Sequence, residues 1–180
     1  MAQMFPRVSG TSTGYERAQV DEFFAEARAA YEGGTGMSAD DVRRAAFDLV
    51  RGGYRPGAVD AALDRLENAF IQRERTAFME THGQDAWMAD VAQRATVLYP
   101  RLNRPAGERF AQPRRGRGYD RAGVDAVLDR LVDYFDSGRA LSATDLRTVT
   151  FASARRPHAY DEGPVDAFLD RAVDILLAVE

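Results

Sequence analysis

Aspartates that repeat every four residues in the second half of the chain are the first candidates for chemistry. Positions four apart share one helix face, so each run forms an acidic stripe, and carboxylates that converge from different elements bind divalent cations or act as acid and base. The spacing places each run on a single helix, and the sequence does not indicate that acids from different elements converge. We therefore interpret the stripes first as partners of arginines on neighbouring helices or in another molecule, second as solvated faces and last as a metal site. The stripes are Asp125, Asp129 and Asp133, and Asp166, Asp170 and Asp174.

An arginine-rich segment near the middle of the chain is the candidate binding site for anions. Only Glu108 and Asp120 oppose its positive charge, and Phe110 and Tyr119 lie inside or beside it. Such a patch attracts the phosphates of acidic lipid or nucleic acid. The competing interpretation, an exposed linker, is favoured by the net charge of −4. The arginines are Arg101, Arg104, Arg109, Arg114, Arg115, Arg117 and Arg121.

Enzyme chemistry finds little support in the remaining residues. The two histidines, His82 and His158, stand apart at predicted helix ends and loops, without the spacing of a metal site or a nucleophile and its base. The Gly-rich turn at 33–36 lacks the preceding strand and the Lys-Ser/Thr continuation of a phosphate loop. We predict a protein that is not an enzyme, with no catalytic residue, no cofactor, no metal and no small-molecule substrate.

Composition is ordinary for a globular protein and agrees with that prediction. The 180 residues are 45% apolar and 29% charged, enough for one or two domains with their own cores. The chain has no cysteine, which excludes disulfides and thiolate metal sites. It has neither an apolar leader nor a long apolar run. We expect a cytoplasmic protein, at most peripheral to the inner face of the membrane.

One pattern occurs four times: a tyrosine, four intervening residues, Val-Asp, and apolar residues four, seven and eleven positions after the valine. That spacing places one apolar stripe along a helix of 3.6 residues per turn. Self-similarity at this level determines the architecture, and it favours a scaffold over an active site. The motif tyrosines and aspartates are Tyr15 and Asp21, Tyr54 and Asp60, Tyr119 and Asp125, and Tyr160 and Asp166.

The four motifs form two tandem pairs, because the second and fourth each follow a segment that begins with Ser38 or Ser142 and carries aspartate three residues later. This is the signature of a capped helix. An internal duplication suggests two similar lobes about a pseudo-two-fold axis. We therefore predict an all-α fold of duplicated helical hairpins with no sheet, and the expected helices are 16–32, 39–51, 56–81, 85–98, 120–136, 143–153 and 162–178.

Three segments are expected along the chain. Residues 1–98 hold the first motif pair and an extra helix, 99–118 form a connection rich in Arg, Pro and Gly, and 119–180 hold the second pair. Within each motif we expect the tyrosine ring to pack on the following helix while its hydroxyl reaches a backbone partner. We expect the aspartate to cap the first turn of its own helix.

The motif resembles the DivIVA domain of bacterial cell-division and polar-growth scaffolds. The resemblance lies in Gly53-Tyr54 with Val59-Asp60 and Leu63-Asp64-Arg65, and in Gly118-Tyr119-Asp120 with Val124-Asp125 and Leu128-Asp129-Arg130. The four motif copies cover about two thirds of the chain. The chain as a whole resembles tandem-repeat DivIVA-like proteins of an actinobacterial type. The resemblance implies a homo-oligomeric, coiled-coil scaffold that binds curved anionic membrane through an aromatic and basic residues on the loop before the tyrosine.

The chain departs from that family pattern at the loop and after the motif. The family has a membrane-inserting Phe three residues before the tyrosine, whereas here those positions are Ser12, Arg51, Gly116 and Pro157. No long heptad segment follows the motif. We therefore expect an interaction module for protein partners, a second copy among them, linked to cell division or envelope growth. The alternative is an anion-binding module that uses the 101–121 arginines on acidic membrane or nucleic acid. Of these two we favour weak binding to acidic membrane over nucleic acid.

Overall fold

The computed structural model describes residues 4–34 and 36–180. It divides into two compact units, Met1–Ala77 and Phe78–Glu180, which we call the first and second units. The division falls within a long helix, and so residues 78–98, which we assigned to the first segment, group with the second unit. Each unit contains one complete motif pair.

In the first unit, two short strands and two helices precede the long helix on which the second motif lies. Its elements are β1 (Thr13–Tyr15), α1 (Arg17–Gly33), α2 (Ala39–Arg43), β2 (Leu49–Arg51) and α3 (Pro56–His82), which ends in the second unit.

The second unit repeats this order after two additional helices and has one further strand before its last helix. Its elements are α4 (Gln84–Ala95), α5 (Tyr99–Leu102), β3 (Arg117–Asp120), α6 (Arg121–Ser137), α7 (Ala143–Arg147), β4 (Ser153–Arg155), β5 (Ala159–Tyr160) and α8 (Glu162–Val179).

The prediction of an all-α fold without sheet is wrong, because each unit contains a small antiparallel sheet. In the first unit β1 pairs with β2, and in the second unit β3 lies between β4 and β5. The helices expected over 39–51 and 143–153 end at Arg43 and Arg147. The chain then turns to supply a strand beside the tyrosine segment, whose backbone groups need partners. A β-branched run, Thr148-Val149-Thr150, also disfavours continuing the second of these helices.

The capped helices themselves start where the sequence predicted. Ser38 and Ser142 each accept a hydrogen bond from the backbone N–H three residues on, while Asp41 and Asp145 bond back to the serine N–H. These reciprocal bonds hold the pKa of both aspartates below the ordinary value, through the side chain and backbone of the serine.

Apolar stripes of the motif helices form the cores, as expected from their spacing. In the first unit, Ala27, Val42 and Phe70 form one buried cluster, and Val20 and Tyr54 belong to a second. In the second unit the most completely buried side chains come from α4, α6, α8 and the segments between them. They include Trp87, Leu98, Leu128, Leu131, Tyr160, Val165 and Leu176.

Glycines before three of the motif tyrosines are required by the close approach of two backbones. A Cβ on Gly53 would lie 2.5 Å from the Gly14 and Tyr15 carbonyl oxygens, and one on Gly118 would lie 2.0 Å from the Tyr160 oxygen. Neither distance is compatible with a side chain. The Gly-Tyr pairs therefore mark the place where the two motifs of a unit cross.

Candidate functional site

Each unit is held at its centre by tyrosine and aspartate side chains that cross from one motif to the other. Tyr15 and Tyr54 exchange backbone hydrogen bonds of 2.9 and 2.8 Å, which sets their rings on two adjoining segments. The Tyr54 hydroxyl then donates to the Asp21 carboxylate, 2.9 Å from the nearer oxygen. The Tyr54 hydroxyl also has the backbone partner that we predicted, at Met4. The bond to Asp21, which the prediction did not include, joins the two motifs of the first unit.

The second unit repeats the crossing with the corresponding residues. Tyr119 lies opposite Tyr160 in the β3–β5 pair. The Tyr160 hydroxyl donates to Asp125, 3.0 Å from the nearer carboxylate oxygen. The Tyr119 hydroxyl bonds the Asp166 side chain, and this contact adds to the effect of burial in raising the pKa of that tyrosine. Tyrosine–aspartate contacts thus run in both directions between the two motifs of this unit.

The pKa values of the four motif tyrosines all rise above the ordinary 10.0. Burial is the largest cause in each case, because it disfavours the phenolate. A neighbouring carboxylate adds to it, and for Tyr15 that carboxylate is Asp60. For Tyr160, the Arg109 backbone N–H that donates to the hydroxyl acts in the opposite direction. The hydroxyls are therefore proton donors to the aspartates over the ordinary pH range.

The motif aspartates do not cap their own helices in the way that we predicted. The cap of α1 is the side chain of Glu16, which accepts from the Gln19 N–H, and the cap of α6 is Asp120, which accepts from the Gly123 N–H. Asp125 instead accepts from Tyr160 and from the Gly107 N–H at 2.7 Å. In α1 and α6 the capping side chain follows the tyrosine directly, which leaves the Val-Asp aspartate for the crossed bond.

Arg109, one of the candidate anion-binding residues, is buried in the second unit with 5% of its surface exposed. Its guanidinium donates to the Asp125 backbone oxygen at 2.8 Å and to an Asp129 carboxylate oxygen at 2.5 Å. Its own N–H donates to the Tyr160 hydroxyl at 3.2 Å. Arg109 therefore contributes to the frame around the crossed pair and is not free to bind an external anion.

Two more of the seven candidate arginines are half-buried against aromatic rings. Arg101 lies 4.7 Å from the centre of the Phe110 ring and donates to the Arg109 carbonyl. Burial, with Arg104 nearby, lowers its pKa. Arg121 lies 5.3 Å from the Tyr160 ring. These residues pack inside the second unit, whereas Arg104 is exposed.

The remaining three candidates meet two further arginines at one end of the second unit. Arg117 and Arg155 stand opposite each other in the β3–β4 pair, so their side chains leave the same face of the sheet. All five side chains are exposed. Residues 111–118 and 153–160, which form this end, contain no acidic residue and one further titratable base, His158. We call the set the arginine tip, and its members are Arg114, Arg115, Arg117, Arg155 and Arg156.

Sequence reasoning missed Arg155 and Arg156 because they lie about 40 residues from the arginine-rich segment. The duplication contained a signal for them, since the segment before the fourth motif tyrosine corresponds to the segment before the second motif tyrosine. In the first unit that segment contains Arg51. Aligning the two motifs of each unit with each other would have shown that a basic segment precedes both tyrosines of the second unit.

Two aspartates of the first acidic stripe have arginine partners, but these arginines lie in loops and not, as we predicted, on neighbouring helices. Asp129 meets Arg109, and Asp133 accepts from Arg139 at 2.8 Å. In the first unit, Glu67 on α3 is 3% exposed and bonds the Arg43 guanidinium. Within residues 4–34 and 36–180, no group of three or more acids and histidines has a geometry that could hold a metal ion.

Among the described residues, no helix combines the length and the apolar character that crossing a membrane requires. Comparison of the chain with protein-family models, with curated proteins and with solved structures finds no match in any of the three.

Proposed function

We propose that this chain is a non-enzymatic interaction module of the DivIVA type, whose second unit docks on a polyanionic surface through the arginine tip. The observation that carries the proposal is the meeting of five exposed arginines from two segments, 111–118 and 153–160, that are remote in sequence and contain no acid. Like charges directly opposite in a sheet are unfavourable on their own. An anionic surface offsets that repulsion.

Acidic membrane is the anionic surface that we favour. Each arginine near such a surface contributes about 1 kcal/mol, and the attraction is screened by salt. Among the described residues, the large exposed apolar side chains lie outside 111–118 and 153–160. The tip therefore offers charge without an apolar wedge, and binding should be weak and reversible.

The supporting arguments for the wider role are the crossed motif pairs and the motif resemblance. Together they favour a scaffold connected with cell division or envelope growth, located in the cytoplasm at the inner face of the membrane. The second candidate is binding of a protein partner with an acidic surface, which the same tip would serve. We do not expect nucleic acid as the partner, because the chain as a whole carries a net charge of −4.

Sedimentation with lipid vesicles tests the proposal. The full chain should bind vesicles of phosphatidylglycerol and phosphatidylcholine at low salt, should not bind pure phosphatidylcholine, and should be released by about 0.5 M salt, where the screening length falls below about 5 Å. Replacing Arg114, Arg115 and Arg155 with Ser removes about 3 kcal/mol. The partition coefficient should then fall about 100-fold.

The matched control carries the same change of charge elsewhere. Arg17, Arg65 and Arg171 are exposed and lie outside the tip, so their replacement with Ser should lower the partition coefficient by less than about threefold. Binding that survives about 0.5 M salt, or an equal loss in both triple variants, would contradict the proposal. Absence of vesicle binding at low salt, with capture of an acidic protein that requires the tip, would favour the second candidate.

A further inference from the structure

The outer edge of β2 in the first unit differs from the equivalent edge of β4 in the second. The Glu16 N–H bonds the Asp48 oxygen, and the Gly52 N–H bonds the Ser12 oxygen. Because backbone groups alternate in direction along a strand, Val50 also faces β1. The N–H and C=O groups of Leu49 and Arg51 therefore point away from the sheet.

In the second unit the corresponding outward carbonyls are covered. The Arg117 guanidinium donates to the hydroxyl and to the backbone oxygen of Ser153, each at 2.7 Å. The Arg155 oxygen accepts from the His158 N–H at 2.9 Å. The edge of β4 is thus closed by one side chain and one turn.

The first unit has neither of these covers. Thr13 stands where the second unit has Arg117, and its side chain is too short to reach across β2. Leu49 stands where the second unit has Ser153, and it is 62% exposed. Among the described residues, no hydrogen bond reaches the outward carbonyls of Leu49 and Arg51. An open edge with an exposed apolar side chain is a template for pairing with another strand.

We propose that this edge pairs with the same edge of a second copy of the chain, antiparallel and centred on Val50. In that register Leu49 of one copy faces Arg51 of the other, and each of these two pairs can exchange both of its backbone hydrogen bonds. Centring on Leu49 leaves a single bonded pair. Centring on Arg51 places two arginines directly opposite each other, which is unfavourable.

Charge and symmetry support a second copy as the occupant. Residues 48–51 contain one acid and one base, Asp48 and Arg51, so two copies of this edge do not repel. The edge of β4 lies beside the arginine tip, and there two copies would repel each other. An isologous contact uses both β2 edges and closes on itself. The result is a dimer, and its small area makes it weak, with a dissociation constant on the order of 0.1–1 mM.

Sedimentation equilibrium of the full chain over about 10 µM to about 1 mM tests the proposal, because weak small interfaces dissociate in this range. The wild type should show a monomer–dimer equilibrium. The double variant Thr13→Arg, Leu49→Ser transfers the cover of β4 to β2 and should remain monomeric. Val97→Ser removes an apolar side chain that is 59% exposed elsewhere, and this control should dimerise like the wild type.

Amide hydrogen exchange on the wild type supplies the second readout, which does not depend on the folding of a variant. Exchange at Leu49 and Arg51 should slow as concentration rises, while exchange at Ser153 and Arg155 should not change. A chain that stays monomeric over the whole range would overturn the proposal. So would dimerisation that the double variant retains, or a monomer whose β2 edge binds only an extended peptide of another protein.

Discussion

Tyr54 in the first unit and Tyr160 in the second donate to Asp21 and Asp125 at 2.9 and 3.0 Å, and the rings around them repeat as well. Phe5 lies 5.5 Å from the Tyr54 ring, and its counterpart Phe110 lies 5.4 Å from the Tyr160 ring. Two units with different surfaces thus share one crossed frame.

The buried charges of the two units are not shared. Arg109 and Asp129 pair in the second unit, whereas Met4 and Ala25 occupy the corresponding places in the first. In the first unit the buried acid is Glu67, paired with Arg43. The second unit has Val173, 5% exposed, where Glu67 would lie.

The difference shows that the crossed frame does not depend on which element carries the buried charge. Each unit buries one member of its ion pair, Glu67 on α3 in the first unit and Arg109 before β3 in the second. The partners stay in contact with water, since 25% of the Arg43 side chain and 62% of the Asp129 side chain are exposed. What both units require is the close backbone crossing and the tyrosine–aspartate bonds. The charges at the surface and at the sheet edge are then free to differ between units.

The largest expected effect comes from filling the backbone crossing. Gly118→Ala places a Cβ 2.0 Å from the Tyr160 oxygen, so the β3–β5 pair must separate, and the variant should lose about 4 kcal/mol of unfolding free energy or fail to fold. Gly123→Ala is the control, because its Cβ would come no closer than 3.6 Å to its neighbours. Denaturant unfolding measures both, and a Gly118→Ala variant as stable as the control would contradict the crossing.

The next effect tests the difference between the units. Arg109→Met should cost about 3 kcal/mol in denaturant unfolding, because it leaves Asp125 buried without its cationic neighbour. Adding Asp129→Ala reproduces the Met4 and Ala25 pair of the first unit and should change stability by less than about 0.5 kcal/mol further, because the Asp129 side chain is 62% exposed. Arg28→Met, which breaks an exposed pair with Glu32, should change stability by less than about 0.5 kcal/mol.

Much of the helical framework was predictable from the sequence, since apolar spacing indicates which helix faces are buried. Ser38 and Ser142 likewise indicate where two helices begin. The sheets were not predictable from local pattern. Leu49–Arg51 and Ser153–Arg155 are only three residues long and alternate too briefly to register as strands. These strands form because the segment that carries Tyr15 or Tyr119 needs backbone hydrogen-bond partners. Such pairing depends on the tertiary fold and not on local sequence.

The residues of the site were predictable from the sequence, but their contacts were not. The motif tyrosines and aspartates were identifiable, yet their pairing across motifs depends on the chain crossing that Gly14, Gly53 and Gly118 permit. The arginine segment was likewise visible, but burial of Arg109 and the arrival of Arg155 follow from long-range pairing. No spacing along the chain encodes either contact.

A smaller effect is expected at high pH. The motif tyrosines have raised pKa values in the folded state, so their stabilisation is complete below their ordinary pKa of 10.0 and is lost as the pH rises through the folded values. The chain has no lysine and no cysteine, so tyrosine dominates titration just above pH 10. Thermal melting at increasing pH should show a loss of stability that Tyr54→Phe with Tyr160→Phe makes shallower.

The control for this pH dependence replaces tyrosines that are exposed. Tyr31 and Tyr99 are 42% and 40% exposed, and their change to Phe should leave the alkaline slope as it is in the wild type. An equal slope in both double variants would show that the crossed hydroxyls are not the groups whose titration destabilises the fold.

A pair of double-mutant cycles in the second unit tests the crossing most directly. Tyr160→Phe and Asp125→Asn, which join different motifs, should show a coupling of about 1–2 kcal/mol in unfolding free energy. Tyr160→Phe and Asp166→Asn lie within one motif and should couple by less than about 0.5 kcal/mol. Coupling within the motif, with none between Tyr160 and Asp125, would contradict the crossed frame.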